Sequence, residues 1–238
     1  IGINEKQEII SFEEKPENPM EIPGRPGWAL GSMGVYIFKT SALAREVSWD
    51  AKRNSSHDFG KDIIPHMLGK RKMVAFAFED ENRKTSSYWR DIGTLDSYYD
   101  ASMNLVSVDP DFNLYDDRWP IHTYHPQQPP VKTVWQGDER QGQIIESLVC
   151  NGVIVSGGQV IRSILSPGVR VNSFSRIEDC IIFNNVDIGR NAQIRRAIID
   201  KDVKIPEGTK IGYDKDADKK QYVVTKNGVV AIPKGYFY

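Results

Sequence analysis

Three short clusters hold the residues of this chain best suited to chemistry: Glu14-Lys15-Pro16, Ser55-Ser56-His57-Asp58-Phe59-Gly60 and Trp89-Arg90-Asp91-Ile92-Gly93-Thr94. They lie at the ends of predicted strands, where the ligands of open α/β sheets gather, and a lysine, carboxylates and aromatic rings there would suit a charged ligand. Each residue alone has a plainer explanation. A lysine beside a glutamate in a loop is ordinarily solvated, Asp58 reads equally as a helix cap, and His57 as a loop hydrogen bond that shapes the start of the next helix. The weight lies in the set.

The elements that must carry these clusters follow from pattern. Ile9 to Pro16 alternates loosely and ends at a proline, as a strand running into a loop does. A segment with Pro16, Pro19, Pro23, Pro26, Gly24 and Gly27 is expected to be irregular and exposed. Ser32 to Phe38 is nearly continuous in apolar character and predicts a strand covered on both faces. Ser41 is expected to cap a helix through Leu43, Val47 and Trp49, and a loop at His57 leads into a short helix. Met73 to Phe78 predicts a further strand. Thr94 caps a helix from Leu95 through Val106, with Leu95, Tyr98, Tyr99, Met103 and Val106 on one stripe. Strands alternating with helices indicate an α/β layer.

From Leu148 onward the chain changes character. Leu148, Leu165, Ile182 and Ile199 stand 17 residues apart, as do Ile154, Val171, Ile188 and Ile205, and Val160, Ile177, Ile194 and Ile211. So short and strict a period predicts coils of a parallel β-helix. The open end of such a prism needs a cap, and Tyr222 to Pro233, turning at Asn227-Gly228, supplies a hairpin for it. The expected organisation is an α/β part over 1–109, a proline-rich linker over 110–142 and the β-helix over 143–238.

Composition removes several classes. Lys plus Arg number 31 and Asp plus Glu 32, so no global field draws in nucleic acid or an anionic membrane, and phosphate binding must be local. No apolar run approaches the roughly 20 residues of a membrane span, and IGINEKQEII has no signal-peptide pattern, so the chain reads as cytoplasmic. Cys150 and Cys180 make neither a zinc site nor a disulfide framework; Cys180 shares its repeat position with Ser163 and Ala197, where a small residue packs. No Gly-rich phosphate loop precedes Ile9, where a nucleotide-using α/β enzyme would have one, so the chain is expected to be a piece of a longer protein.

Those clusters, with Ser32-Met33-Gly34-Val35-Tyr36-Ile37-Phe38, Trp119-Pro120-Ile121, Pro129-Pro130-Val131-Lys132 and the β-helix, run in one order along nearly the whole chain. In that order they resemble bacterial glucose-1-phosphate adenylyltransferases, also called ADP-glucose pyrophosphorylases. The resemblance implies a partial nucleotidyltransferase domain followed by a left-handed parallel β-helix, acting in glycogen biosynthesis. It implies ATP and glucose 1-phosphate as substrates, ADP-glucose and diphosphate as products, and Mg2+ as cofactor. By the same resemblance Lys15 grips the sugar phosphate and Glu14, Ser32, Tyr36, Asp58, Phe59 and Trp89 surround the glucose ring. Asp91 is one of two metal-binding aspartates, the other belonging to the front part. Lys201 stands where relatives often show an arginine that binds phosphorylated regulators, and a lysine keeps the charge while losing the planar fork. A homotetramer is implied too.

Elementary chemistry agrees with these roles. Two anions meet when a sugar phosphate attacks the α-phosphate of ATP, so fixed cations are needed, whereas an ionised phosphate monoester needs no general base. An acyltransferase, the common alternative for a β-helix enzyme, usually takes a histidine from the helix, and here His57, His66, His122 and His125 all precede the repeat. The other alternative is a nucleotidyltransferase-like scaffold without chemistry. The 238 residues by themselves are expected to turn over little or nothing.

Overall fold

The computed structural model describes residues 1–14, 16–80, 85–118, 120–137 and 140–236. They form two compact units, 1–89 and 90–238.

In the first unit, Gly2–Ile3 pairs antiparallel with Ile9–Ser11, and a bridge joins Glu8 to Val74. Glu21–Ile22 and Arg25–Ala29 form a hairpin inside the segment expected to be irregular; Gly24 and Gly27, at φ +77 and +78, permit its turns. Two expected strands do not form. Residues 32–38, bent at Gly34 with φ +70, and 73–78 form no ladder beyond the Val74 bridge, and Ile37 and Phe76 are exposed. An extended segment becomes a strand only when a neighbour pairs with it, and among the described residues neither has one along its length.

Helix α1, Thr40–Asp50, starts at Lys39 without a side-chain cap, so Ser41 lies inside its first turn instead of capping it. It buries two carboxylates, Glu46 and Asp50. Arg71 donates to Glu46 Oε1 at 3.1 and 3.2 Å, and Trp49 stacks on His66 of α2, Ile64–Met67. A short π-turn, Phe59–Ile63, leads into α2, and Ile63, Ile64 and Met67 form the buried apolar side of this segment.

The second unit is built around a three-sided parallel solenoid. One face stacks Lys132–Val134, Ile154–Ser156, Arg170–Val171, Asp187–Ile188 and Lys204–Ile205. The next stacks Gln143–Ile145, Gln159–Ile161, Arg176–Glu178, Gln193–Arg195 and Lys210–Ile211. The third runs from Leu148–Val149 through Ile164–Leu165 and Ile181–Ile182 to Ala197–Ile199. The first strand thus falls inside the stretch expected to be linker. Each corner turns on a left-handed residue: Glu146, Arg162, Asp179 and Arg196 form one row, and Gly152, Gly168, Asn185 and Asp202 another.

The repeat carries a one-residue slip. Leu165 lies beside Val149, not Leu148, and Val171 beside Val155, not Ile154, whereas Val160, Ile177, Ile194 and Ile211 are in step as expected. The cause is the corner at Gly157-Gly158, where Val155 to Val160 is one residue shorter than Val171 to Ile177. A Cβ on Gly158 would meet Asn172 O at 2.8 Å and Val171 Cγ1 at 2.9 Å, so only glycine fits so tight a turn. Inside, Val155, Val160, Leu165, Val171, Ile177, Ile182, Ile188, Ile194 and Ile199 are wholly buried, each contributing about 1.5–3 kcal/mol. Ser163, Cys180 and Ala197 occupy one buried small-residue row, and Ser163 Oγ accepts the Cys180 N–H at 3.0 Å.

The far end closes as its turn signal predicts. Val223–Val224 and Val230–Ile232 form an antiparallel hairpin with Gly228 at φ +79, and Val230–Ile232 pairs in parallel with Ala197–Ile199. The sequence reading missed a helix, α4, Lys215–Gln221, capped by Asp214. Helix α3, Leu95–Asn104, lies in this unit too; Thr94 and Ser97 make a capping box at its start. Its Tyr98, Tyr99 and Met103 pack on Ile164, Ile181, Phe183, Ile198 and Val229.

Candidate active site

Four of the expected substrate residues meet in the first unit. Asp58 caps the turn at Phe59, its Oδ1 accepting the N–H groups of Gly60 and Lys61 at 2.7 and 2.9 Å, so the helix-cap reading describes what this side chain does. The cap turns Phe59 toward Tyr36, whose ring stacks on it at 5.9 Å, while Phe38 lies 5.8 Å from Phe59. Tyr36 Oη and Ser32 Oγ share a hydrogen bond of 2.9 Å. Glu14 reaches the same loop through Lys61, 3.7 Å from Nζ. Trp89 is 46% exposed, and Lys15 lies outside the described residues.

Two carboxylates that sequence reasoning missed hold the loop in place. Asp50, 3% exposed, accepts from Ser55 Oγ at 2.8 Å and pairs with His57 Nδ1 at 2.7 Å. His57, and next Ser55, hold the Asp50 carboxyl below the usual carboxylate range. His57 itself sits at φ +56, a strained backbone for a residue with a Cβ, and the bond to a buried carboxylate supports it. Asp62 accepts from Ser56 Oγ at 2.5 Å and from the Asp58 N–H at 3.0 Å, and its carboxyl is lowered chiefly by the Ser56 hydroxyl. A search for ligand-facing charge passes over acids such as Asp50 and Asp62, whose partners are the neighbouring Ser55, Ser56 and His57. Two hollows of the first unit, about 270 and 440 Å³, are lined elsewhere, by residues such as Ser11, Glu13 and Pro16, and Arg25 and Ala75. Ser32 and Asp58 are exposed, Tyr36 and Phe59 half-buried, and none of the four lines either hollow.

Asp91 belongs to the second unit. Its Oδ1 accepts the Gly93 N–H at 2.9 Å in a tight turn just before α3, and its neighbour Arg90 donates to Asp111 at 2.8 Å. Among the described residues no three His, Cys, Asp or Glu side chains gather to hold a metal ion. One hard carboxylate suits Mg2+, which is commonly bound by one or two protein carboxylates and completed by water and substrate phosphates. Lys201 is exposed, its N–H on Asp200 Oδ1 at 2.7 Å; of the nearby arginines, Arg195 lies over Tyr213 and Arg196 over Tyr99.

Comparison with known proteins now separates the two parts of the chain. Residues 1–108 match the family model "Nucleotidyl transferase", and residues 129–232 match "GlmU-like, C-terminal hexapeptide". The chain thus joins a segment similar to nucleotidyl transferases to a solenoid similar to a hexapeptide domain.

The resemblance extends through both parts at once. The chain is 48% identical over 99% of its length to a glucose-1-phosphate adenylyltransferase of Koribacter versatilis and 47% identical over 99% to one of Rhodopirellula baltica. A relative of the same name from Anaeromyxobacter sp. is 47% identical over 98% of the chain. The chain spans 57%, 54% and 59% of the lengths of these relatives.

Proposed function

We propose that this chain supplies the sugar-facing side and the solenoid of a glucose-1-phosphate adenylyltransferase, which converts ATP and glucose 1-phosphate to ADP-glucose and diphosphate. The observation that carries the reading is the 48% identity sustained across both parts, over 99% of the chain. In this mechanism the phosphate monoester is already ionised and attacks without a general base. Lys15 neutralises the sugar phosphate. Ser32 and Tyr36, each oriented by the other, offer hydroxyls to the sugar, and Asp58 offers the oxygen that its cap does not use. Glu14 accepts a further sugar hydroxyl, and Phe59 and Trp89 present aromatic faces to the apolar side of the ring. Asp91 would hold Mg2+, which when bound neutralises charge on the reacting phosphates.

Lys201 is assigned to a site for phosphorylated regulators, and assembly to a cytoplasmic homotetramer serving glycogen synthesis. Among the described residues no helix is long and apolar enough to cross a membrane. The test is diphosphate release from ATP and glucose 1-phosphate by the complete protein and by these 238 residues alone. The complete protein is expected to be active and the shorter chain nearly silent. A complete protein that binds neither substrate would instead make this a scaffold subunit.

A further inference from the structure

We propose that the solenoid is the mount of Asp91, with Asp96 and Tyr99 as positioning residues that fix its carboxylate through α3. The inference rests on the role given to Asp91 above. Only Ile92 and Gly93 separate Asp91 from the Thr94 cap, so the turn moves with the first residues of the helix. Three bonds then tie that helix down along its length. At its start Asp96 Oδ1 accepts from Thr225 Oγ1 of the terminal hairpin at 2.5 Å, and Thr225 Oγ1 in turn accepts the Val229 N–H at 3.0 Å. In the middle Tyr99 Oη donates to Asp179 O, a solenoid corner, at 2.7 Å, while Arg196 of the next coil covers the Tyr99 ring at 5.2 Å. At its end Asn104 Oδ1 accepts the Asp111 N–H at 3.0 Å, and Asp111 holds Arg90, the residue before Asp91, at 2.8 Å. The turn is thus clamped from both sides.

The physical need for polar anchors is plain. Tyr99 is 3% exposed against Ile181, Ile198 and Val229, but apolar contact has no direction and would let the helix slide or roll on so smooth a face. Hydrogen bonds to a backbone carbonyl and a hairpin hydroxyl select one register. A displacement of roughly 1 Å at a reacting group can cost about 100-fold in rate, so a helix held this way has a catalytic consequence even though neither Asp96 nor Tyr99 touches substrate.

The test uses the complete enzyme with Tyr99→Phe, Asp96→Ala and Asp96→Asn. Phenylalanine keeps the ring under Arg196 and loses only the hydroxyl; asparagine keeps an oxygen for Thr225 and so serves as the rescue. Two quantities are read: amide hydrogen exchange over residues 91–98 without metal or nucleotide, and kcat against KM for glucose 1-phosphate. Tyr99→Phe and Asp96→Ala are each expected to speed exchange at Ser97 and Tyr98 by about fivefold and lower kcat by about tenfold. The KM for glucose 1-phosphate should stay within about twofold, and Asp96→Asn should behave as the parent. Faster exchange with kcat unchanged would overturn the proposal, as would unchanged exchange or a KM that rises with the fall in kcat. If the unaltered enzyme releases no diphosphate, the functional reading fails before any variant is made, while exchange still reports on the helix.

Discussion

Asp58 serves two ends with one carboxylate: Oδ1 closes the turn beneath Phe59, and the other oxygen is assigned to the sugar. Two substitutions separate them. Asp58→Asn retains an oxygen for the Gly60 and Lys61 amides, so the melting temperature should hold while KM for glucose 1-phosphate rises. Asp58→Ala loses both, with about 1 kcal/mol of stability in addition. Equal melting temperatures for the two variants would refute the cap. Asp50 makes a separate prediction in acid. Its carboxyl is lowered in the folded state, so the stability it contributes is present above the unfolded value and is lost as pH falls through the folded one, below about pH 4. Asp50→Asn should flatten that part of an acid unfolding curve followed by circular dichroism. Sequence exposed the paired clusters but not Asp50, because a buried acid at the end of a helix carries no local sign of the histidine seven residues on that satisfies it.

Among the elements, the solenoid was legible and the strands of the first unit were not, for one physical reason. A coil pairs with its neighbour in sequence, so its periodicity is written locally, whereas Ser32 to Phe38 needs a partner that no nearby residues supply. Even the solenoid misled at one corner: Leu148 and Ile154 are aliphatic, as are their neighbours Val149 and Val155, so hydrophobicity alone could not reveal the residue missing at Gly157-Gly158. That corner is expected to be intolerant. Gly158→Val would drive a branched side chain against Asn172 O and Ser175 O, main-chain atoms of the next coil, and should cost about 1–3 kcal/mol in denaturant unfolding. A change within about 0.5 kcal/mol would mean that the corner relaxes.

At the scale of the whole molecule, alkaline pH probes the solenoid and its attached helix together. Burial pushes both the Cys180 thiol and the Tyr99 phenol up to about 12. Between the ordinary values, near 9 and 10, and about 12 the unfolded chain sheds protons that the folded one retains. The share of stability these two groups contribute is therefore constant below about pH 9 and falls above it. Cys180→Ala, which copies Ala197 in the same row, should remove the thiol's share and shift the onset of unfolding toward pH 10. An onset that does not move would show that the thiol titrates no differently in the two states.

The strand Val223–Val224 runs against the direction of every coil before it. A parallel ladder can be lengthened by adding another rung with the same polarity, and this reversed strand withdraws the template on its face. On that face a further coil of the same direction would therefore meet a strand of opposite polarity, and the parallel register of the column ends with Val230–Ile232.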